Sequence, residues 1–133
     1  MILVVGGAGY IGSHTNKEIN RRGIPTVIYD NLIYGHQESV KWGIFEKGDV
    51  ADGYRLDEIF DKYPIESVVH FAAYAYVGES VDRPSKYYNN NVCNTIKLLD
   101  KMREHEVHNI VFSSTCATYG EPKQMPITED MPQ

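Results

Sequence analysis

The stretch "VVGGAGYIGSH", Val4 to His14, constrains this chain more than any other. An apolar run meets the spacing Gly6-x-x-Gly9-x-x-Gly12 and passes directly into a helical segment. In a strand–turn–helix of this kind the first glycine permits the tight turn. The second lets backbone approach a diphosphate, and the third lets the helix pack closely on the strand. Free N–H groups at the helix start, here Tyr10 and Ile11, then point at the anion. A glycine triplet alone also describes any tight strand–helix turn, so context decides. The context is present: Asp30 ends the next apolar run, 18 residues after Gly12. A carboxylate there accepts from both ribose hydroxyls of an adenosine and repels a 2′-phosphate. The pair of signals points to a dinucleotide site and to NAD rather than NADP.

Short apolar runs alternate with helical segments along the remaining chain. Strands are expected at Ile2–Val5, Thr26–Asp30, Ile44–Gly48, Ser67–Phe71 and Asn109–Ser113. Helices are expected over Tyr10–Arg22, from Asp52 or Gly53 to about Tyr63, and from Pro84 to about His105. The last carries apolar residues at Tyr88, Val92, Ile96, Leu99 and Met102, a helical spacing that predicts its buried face. Asn31–Lys41 and the chain from Thr115 onward read as loops. Runs such as "ILVV" and "SVVHF" do not alternate apolar with polar, as expected of parallel strands covered on both faces. The fold class is therefore α/β: a Rossmann-type doubly wound parallel sheet of about five strands. Right-handed crossovers favour the order 3-2-1-4-5, with a flavodoxin-like order as the fallback.

With 133 residues the chain suits one domain. A net charge of −5 argues against nucleic acid as partner, because phosphate backbones select a basic face. No apolar run is long enough to span a membrane. The start "MILVVGGAG" lacks a basic leader, and two cysteines, Cys93 and Cys116, are too few for a disulfide framework. These features suggest a cytoplasmic protein with reduced thiols, and nothing suggests a metal.

Other positions admit two readings each. Asp49, with Val50 after it, could accept from an adenine amine or simply cap a turn. Phe71, Ala72 and Ala73 could leave room for a cofactor at the topological switch point or be plain small-residue packing. Tyr74 and Tyr76 could line the mouth of a site. Asn90 could bond a cofactor or stand in solvent. Ser113, Ser114 and Thr115, a row of hydroxyls at a strand end, satisfy backbone groups in the simpler reading. In the other, Thr115 bonds a substrate oxygen.

Taken together, "GGAGYIGSH", "YDNL", "HFAA", "VGESV", "YYNNNV" and "SSTCATYGEP" resemble the extended short-chain dehydrogenase/reductases, and within them the UDP-sugar 4-epimerases. The resemblance runs over residues 1–133 and implies a tightly held, recycled NAD. It implies a tyrosine base kept acidic by a lysine, hydride transfer from sugar C4 to nicotinamide, and return of the hydride to the opposite face of a 4-keto sugar. By the same resemblance Gly6, Gly9, Tyr10, Ile11 and Gly12 lie at the diphosphate, Asp30 and Asn31 at the ribose, and Asp49 and Val50 at adenine. Phe71, Ala72 and Ala73 pass beneath the cofactor, Asn90 reaches it, and Thr115 matches the catalytic Ser/Thr. The partner Tyr-x-x-x-Lys would fall just beyond Gln133, so the chain is expected to be the NAD-binding part, cut before its base and inactive alone. Some epimerases carry a lysine at the position of Ala75, and the family usually has an apolar residue at Asn16. The related 4,6-dehydratases place two acids directly after the threonine, where this chain has Cys116 and Ala117. A bare fifth-strand edge and the two outer helices imply a homodimer or larger self-association. A non-catalytic half-fold acting only in folding or self-association is the alternative. The sugar is UDP-glucose or UDP-arabinose by the same resemblance.

Overall fold

Five short strands pair in parallel in the order β3-β2-β1-β4-β5. They are β1 (Ile2–Val5), β2 (Thr26–Asp30), β3 (Ile44–Lys47), β4 (Ser67–His70) and β5 (Asn109–Phe112). The computed structural model describes residues 1–122 and 124–133. Val5 lies opposite Tyr29 and His70, and His70 opposite Phe112, so the carboxyl ends of these strands finish together along one edge of the sheet. The chain reverses direction of travel between β1 and β4, which opens a crevice at that edge.

Alternation along each strand divides the core. Leu3, Val5, Val27, Tyr29 and Val68 pack with Leu56, Ile59, Leu98 and Met102 from the helices on one face. Val4 and Ile28 point the other way, toward the glycine turn and α1 (Tyr10–Arg21). Helix α2 (Gly53–Lys62) begins where the Asp52 carboxylate accepts from the Arg55 N–H, an N-cap that satisfies one orphan donor. The edge strand β3 buries one charge, Glu46. Burial pushes this carboxyl up, but hydrogen bonds from Lys62, Tyr63 and Arg55 outweigh that and hold it below the usual carboxylate range. An inward-facing charge also blunts a sheet edge against further pairing.

The long helix differs from its expected form. It runs as α4 (Pro84–Tyr87), a π-helical stretch Tyr88–Cys93, and α5 (Asn94–Glu104), preceded by the short helix α3 (Val77–Asp82). Of the expected apolar stripe only Met102 is buried; Tyr88, Val92, Ile96 and Leu99 stand 43–68% exposed. The inward face carries Tyr87, Asn91, Thr95, Leu98 and Met102. Two of these are polar because they bond partners beneath: Asn91 bonds Tyr74, and Thr95 bonds His70. Hydropathy therefore selected the outer of two stripes with equal periodicity.

Asn16, placed where an apolar residue is usual in the resembling family, is fully buried and fully used. Its amide donates to the Trp42 carbonyl at 2.9 Å and its oxygen accepts from Thr26 Oγ1 at 2.7 Å and from Asn20 at 2.9 Å. This network ties α1 to β2 and to the loop before β3. Removing one member leaves buried donors and acceptors unpaired, so Asn16→Ala is expected to cost about 1–3 kcal/mol of stability in a urea titration. Asn20→Ala, at a half-buried position, is expected to cost less.

Candidate functional site: a cleft at the carboxyl edge of the sheet

The glycine turn between β1 and α1 is as tight as its spacing demands. Gly6 adopts φ +78°, and a Cβ there would lie 2.6 Å from the Ala72 nitrogen. A Cβ on Gly12 would collide with the Gly6 carbonyl. Both glycines are thus required by the packing of strand, turn and helix. Gly9 is different. Its φ is −75°, and a Cβ would meet only the Gly6 oxygen, at an ordinary 3.4 Å. Nothing in the fold requires glycine at this position; it faces the cleft, where only an approaching ligand would require it. Beyond it, the N–H groups of Tyr10, Ile11 and Gly12 have no carbonyl one turn earlier to bond, and no side chain caps them. They form an anion-seeking helix start.

Asp30 fastens this turn to the loop after β2. Its Oδ2 accepts from the Ala8 N–H at 2.9 Å, and its Oδ1 accepts from the Leu32 N–H at 2.8 Å. Leu32 sits at φ +63°, a conformation unfavourable for a side-chain-bearing residue and held here by that bond. The His36 N–H donates to the Ala8 carbonyl at 3.1 Å, closing the loop against the turn. Each Asp30 oxygen keeps a second acceptor site. Asp49 takes the turn role: its Oδ1 accepts from Ala51 N–H at 2.8 Å, while Oδ2 accepts from the Asn31 amide at 2.7 Å. Tyr29 is buried beneath, donating its hydroxyl to the Asp49 carbonyl at 2.7 Å; burial raises this phenol's pKa above its ordinary value.

These groups line a cleft of about 580 Å³, a volume typical of small-molecule sites. Gly6, Gly9, Asp30, Asn31, Asp49, Val50, Phe71, Ala72, Ala73 and Asn90 all lie on its walls. The structure also brings in Tyr34, Gly35 and Gly48, which sequence reading passed over. Gly35 is packed against the Asp30 carboxylate, and a Cβ on Gly48 would strike the Tyr29 ring. Both are glycines because of a neighbour distant in sequence. Gly12 and Tyr10 are not on the walls: Gly12 is buried under the turn, and the Tyr10 side chain is 81% exposed. Asn90 donates to the Asn91 oxygen at 2.8 Å.

A second, wider cleft continues from Phe71–Tyr74 toward the end of β5. It holds Ile11, Tyr76, Ser113, Ser114 and Thr115. Thr115 Oγ1 accepts from the Ala117 N–H at 3.2 Å, so the simpler reading of this hydroxyl is present, and its own proton is left for another acceptor. The expectation that the chain holds no Tyr-x-x-x-Lys needs correction. The spacing occurs once, at Tyr119 to Lys123. It is not a helical pair: a single 3₁₀ turn ends at Tyr119, and Gly120 (φ +59°) and Pro122 follow. Lys123 and the Cys116 side chain lie outside the described residues, whereas Cys93 is a free, exposed thiol. Among the described residues no cluster of His, Cys, Asp or Glu is arranged to hold a metal, and no helix is long and apolar enough to cross a membrane.

His70, at the end of β4, is buried between the cleft floor and the long helix. Thr95 Oγ1 donates to the Asn91 carbonyl at 2.9 Å, which leaves it to accept from His70 Nε2 at 3.2 Å. Nδ1 has no partner among the described residues. Burial pushes this imidazole down to about 4. The folded state therefore binds its proton less readily than the unfolded chain. That contribution to stability is complete above about pH 6.5 and is lost as pH falls toward 4. Between pH 7 and 5 the loss is expected to be about 2 kcal/mol by urea titration, and His70→Gln should flatten that part of the profile.

The comparisons agree with this geometry. The family model described as the NAD dependent epimerase/dehydratase family matches residues 2–133. A UDP-glucose 4-epimerase of Rhizobium meliloti is 51% identical over 132 residues, covering 99% of this chain and 40% of the relative. One from Halalkalibacterium halodurans is 53% identical, with 98% and 39% covered. The crystal structure of UDP-glucose 4-epimerase from Brucella ovis in complex with NAD superposes with a TM-score of 0.89 at 55% identity, covering 99% of this chain and 41% of that one. The chain thus spans about 40% of the length of the curated relatives it matches.

Proposed function

Because the chain belongs to the NAD dependent epimerase/dehydratase family, we propose that it is the cofactor-holding part of a UDP-sugar 4-epimerase, and that the cleft between β1 and β4 takes NAD. The observation that carries this reading is Gly9, a glycine on the cleft wall that the fold itself does not need. The Brucella ovis relative, by its title, is a complex with NAD, and the Bifidobacterium longum relative one with NAD+ and UDP.

In this reading the N–H groups of Tyr10, Ile11 and Gly12 hold the diphosphate, which comes close because Gly6 and Gly9 present bare backbone. The second acceptor sites on Asp30 take the adenosine ribose hydroxyls, with Asn31 beside them, and its charge disfavours a 2′-phosphate, so NAD is selected over NADP. Asp49 and Val50 border the adenine. Phe71, Ala72 and Ala73 form the floor, and Asn90 bonds the cofactor from the long helix. NAD, when bound, supplies a reversible hydride acceptor. Thr115 directs its hydroxyl proton to the oxygen on sugar C4, orienting that group for deprotonation. A Thr hydroxyl is a poor base at neutral pH, and Tyr119 does not share a helix face with a lysine. This chain alone is therefore assigned cofactor binding without turnover, since a tuned base contributes typically ~10²–10⁴-fold.

A UDP-glucose-type hexose is the substrate we assign. A relative from Stenotrophomonas maltophila, 34% identical, is titled as binding a formylated UDP-arabinopyranose, so a pentose is the second candidate. Self-association is supported by the exposed apolar stripe Tyr88, Val92, Ile96 and Leu99. A cytoplasmic location fits the exposed free thiol of Cys93.

Gly9→Ala tests the reading, because the fold accommodates the methyl group. The variant should melt at the wild-type temperature yet bind NAD at least about tenfold more weakly by calorimetric titration. Gly12→Ala should instead lose stability with or without NAD. Unchanged affinity in Gly9→Ala would contradict the assignment of the diphosphate to this turn.

A further inference from the structure

Four tyrosines gather at the mouth of the cleft. Tyr34 comes from the loop after β2; Tyr74, Tyr76 and Tyr87 come from the segment after β4. Tyr34 meets Tyr74 edge-on, with ring centroids 5.5 Å apart at 90°, and meets Tyr76 at 5.4 Å and 79°. These are the separations and tilts at which aromatic rings attract through their quadrupoles. The two contacts join opposite walls, since Tyr34 and Asp30 border the cleft on one side and Ala73 and Tyr74 on the other.

The two sides are held unequally. Tyr74 is fixed. The Asn91 side chain accepts from its N–H and donates to its carbonyl, both at 2.9 Å, and Tyr87 packs against its ring at 5.8 Å. The Lys86 ammonium lies 4.6 Å from the Tyr74 ring centre and bonds Glu79 at 2.6 Å, and Tyr87 bonds the same carboxylate at 2.8 Å. The π-helical stretch Tyr88–Cys93 carries Asn91, so the irregular turn of the long helix supports this side. Tyr34, by contrast, is 45% exposed on a surface loop whose hydrogen bonds run back to Asp30, Asn31 and Ala8. A fixed aromatic wall facing a mobile-side ring is the arrangement of a clasp.

We propose that Tyr34 is a retention residue: packed on Tyr74 and Tyr76, it straps the two walls together over the bound dinucleotide and sets how fast that dinucleotide leaves. The proposal rests on the assignment of NAD to this cleft. A ligand seated on the glycine turn leaves past this mouth, and both ring contacts must part before it does. Loss of two edge-to-face pairs corresponds to roughly a tenfold faster release, and loss of one to roughly threefold.

The test is a stopped-flow chase. The chain is loaded with NADH, excess NAD is added, and the decay of bound NADH fluorescence is followed for wild type, Tyr34→Phe, Tyr34→Ala, Tyr76→Ala and the Tyr34→Ala/Tyr76→Ala pair. Tyr34→Phe keeps both rings and should release at the wild-type rate. Tyr76→Ala loses one contact and should release a few-fold faster. Tyr34→Ala loses both and should be faster still, with the double variant no faster than Tyr34→Ala. Melting temperatures without cofactor should be alike across the set. If Tyr76→Ala leaves the rate unchanged while Tyr34→Ala raises it, Tyr34 acts on the ligand directly and the strap is wrong. Equal rates in all variants overturn the strap while leaving the cofactor assignment standing. A wild-type chain that takes up no NADH at millimolar concentration overturns the cofactor assignment and the strap with it.

Discussion

Asp30 is the carboxylate on which the cleft is built. Its two oxygens receive N–H groups from Ala8, in the glycine turn, and from Leu32, in the loop after β2. One side chain thereby sets the distance between two segments that come from different strands. It also holds Leu32 in a left-handed conformation that this residue would not choose alone. Gly35 must be glycine because it packs on the same carboxylate. Hydrogen bonds to an ionised acceptor are stronger than neutral ones, so this junction is stiff. The anion site at the start of α1 and the acceptor site at the end of β2 are consequently fixed relative to each other before any ligand arrives. Such preorganisation reduces the ordering cost of binding.

The opposite wall is built by a different device. Small residues after β4 bring its backbone against Gly6, and the long helix then clamps Tyr74 through Asn91. His70, Thr95 and Asn91 form a polar seam under this wall where an apolar core would be usual. The seam accounts for the polar inner face of the long helix and leaves four large apolar residues outside. Ligand-facing order and a surface suited to a second copy are in this way two consequences of one helix placement.

Much of this was legible in the sequence. The glycine spacing followed by Asp30 is local, and both ends of the argument lie within 30 residues, so turn, strand order and the first wall could be derived. Asn16 was also readable as an anomaly, though not its partners Trp42 and Thr26. What was not legible depends on contacts between distant segments. Gly48 looks like a loop glycine until Tyr29 is seen against it, and Tyr34 looks like a surface tyrosine until Tyr74 and Tyr76 are seen across the cleft. The buried stripe of the long helix was misassigned because two stripes share one periodicity and the polar one faces inward. The Tyr119–Lys123 spacing shows the converse: a pattern in the sequence that the backbone, turning at Gly120, does not make into a pair.

The measurement that tests the account most directly is the dinucleotide content of the chain as purified. The protein would be isolated without added cofactor and denatured, and the released NAD and NADH assayed enzymatically against protein concentration. The account predicts a content approaching one dinucleotide per chain, or stoichiometric uptake of NAD but not NADP when the purified chain is titrated. A chain that releases none, and takes up none at millimolar NAD, would contradict it.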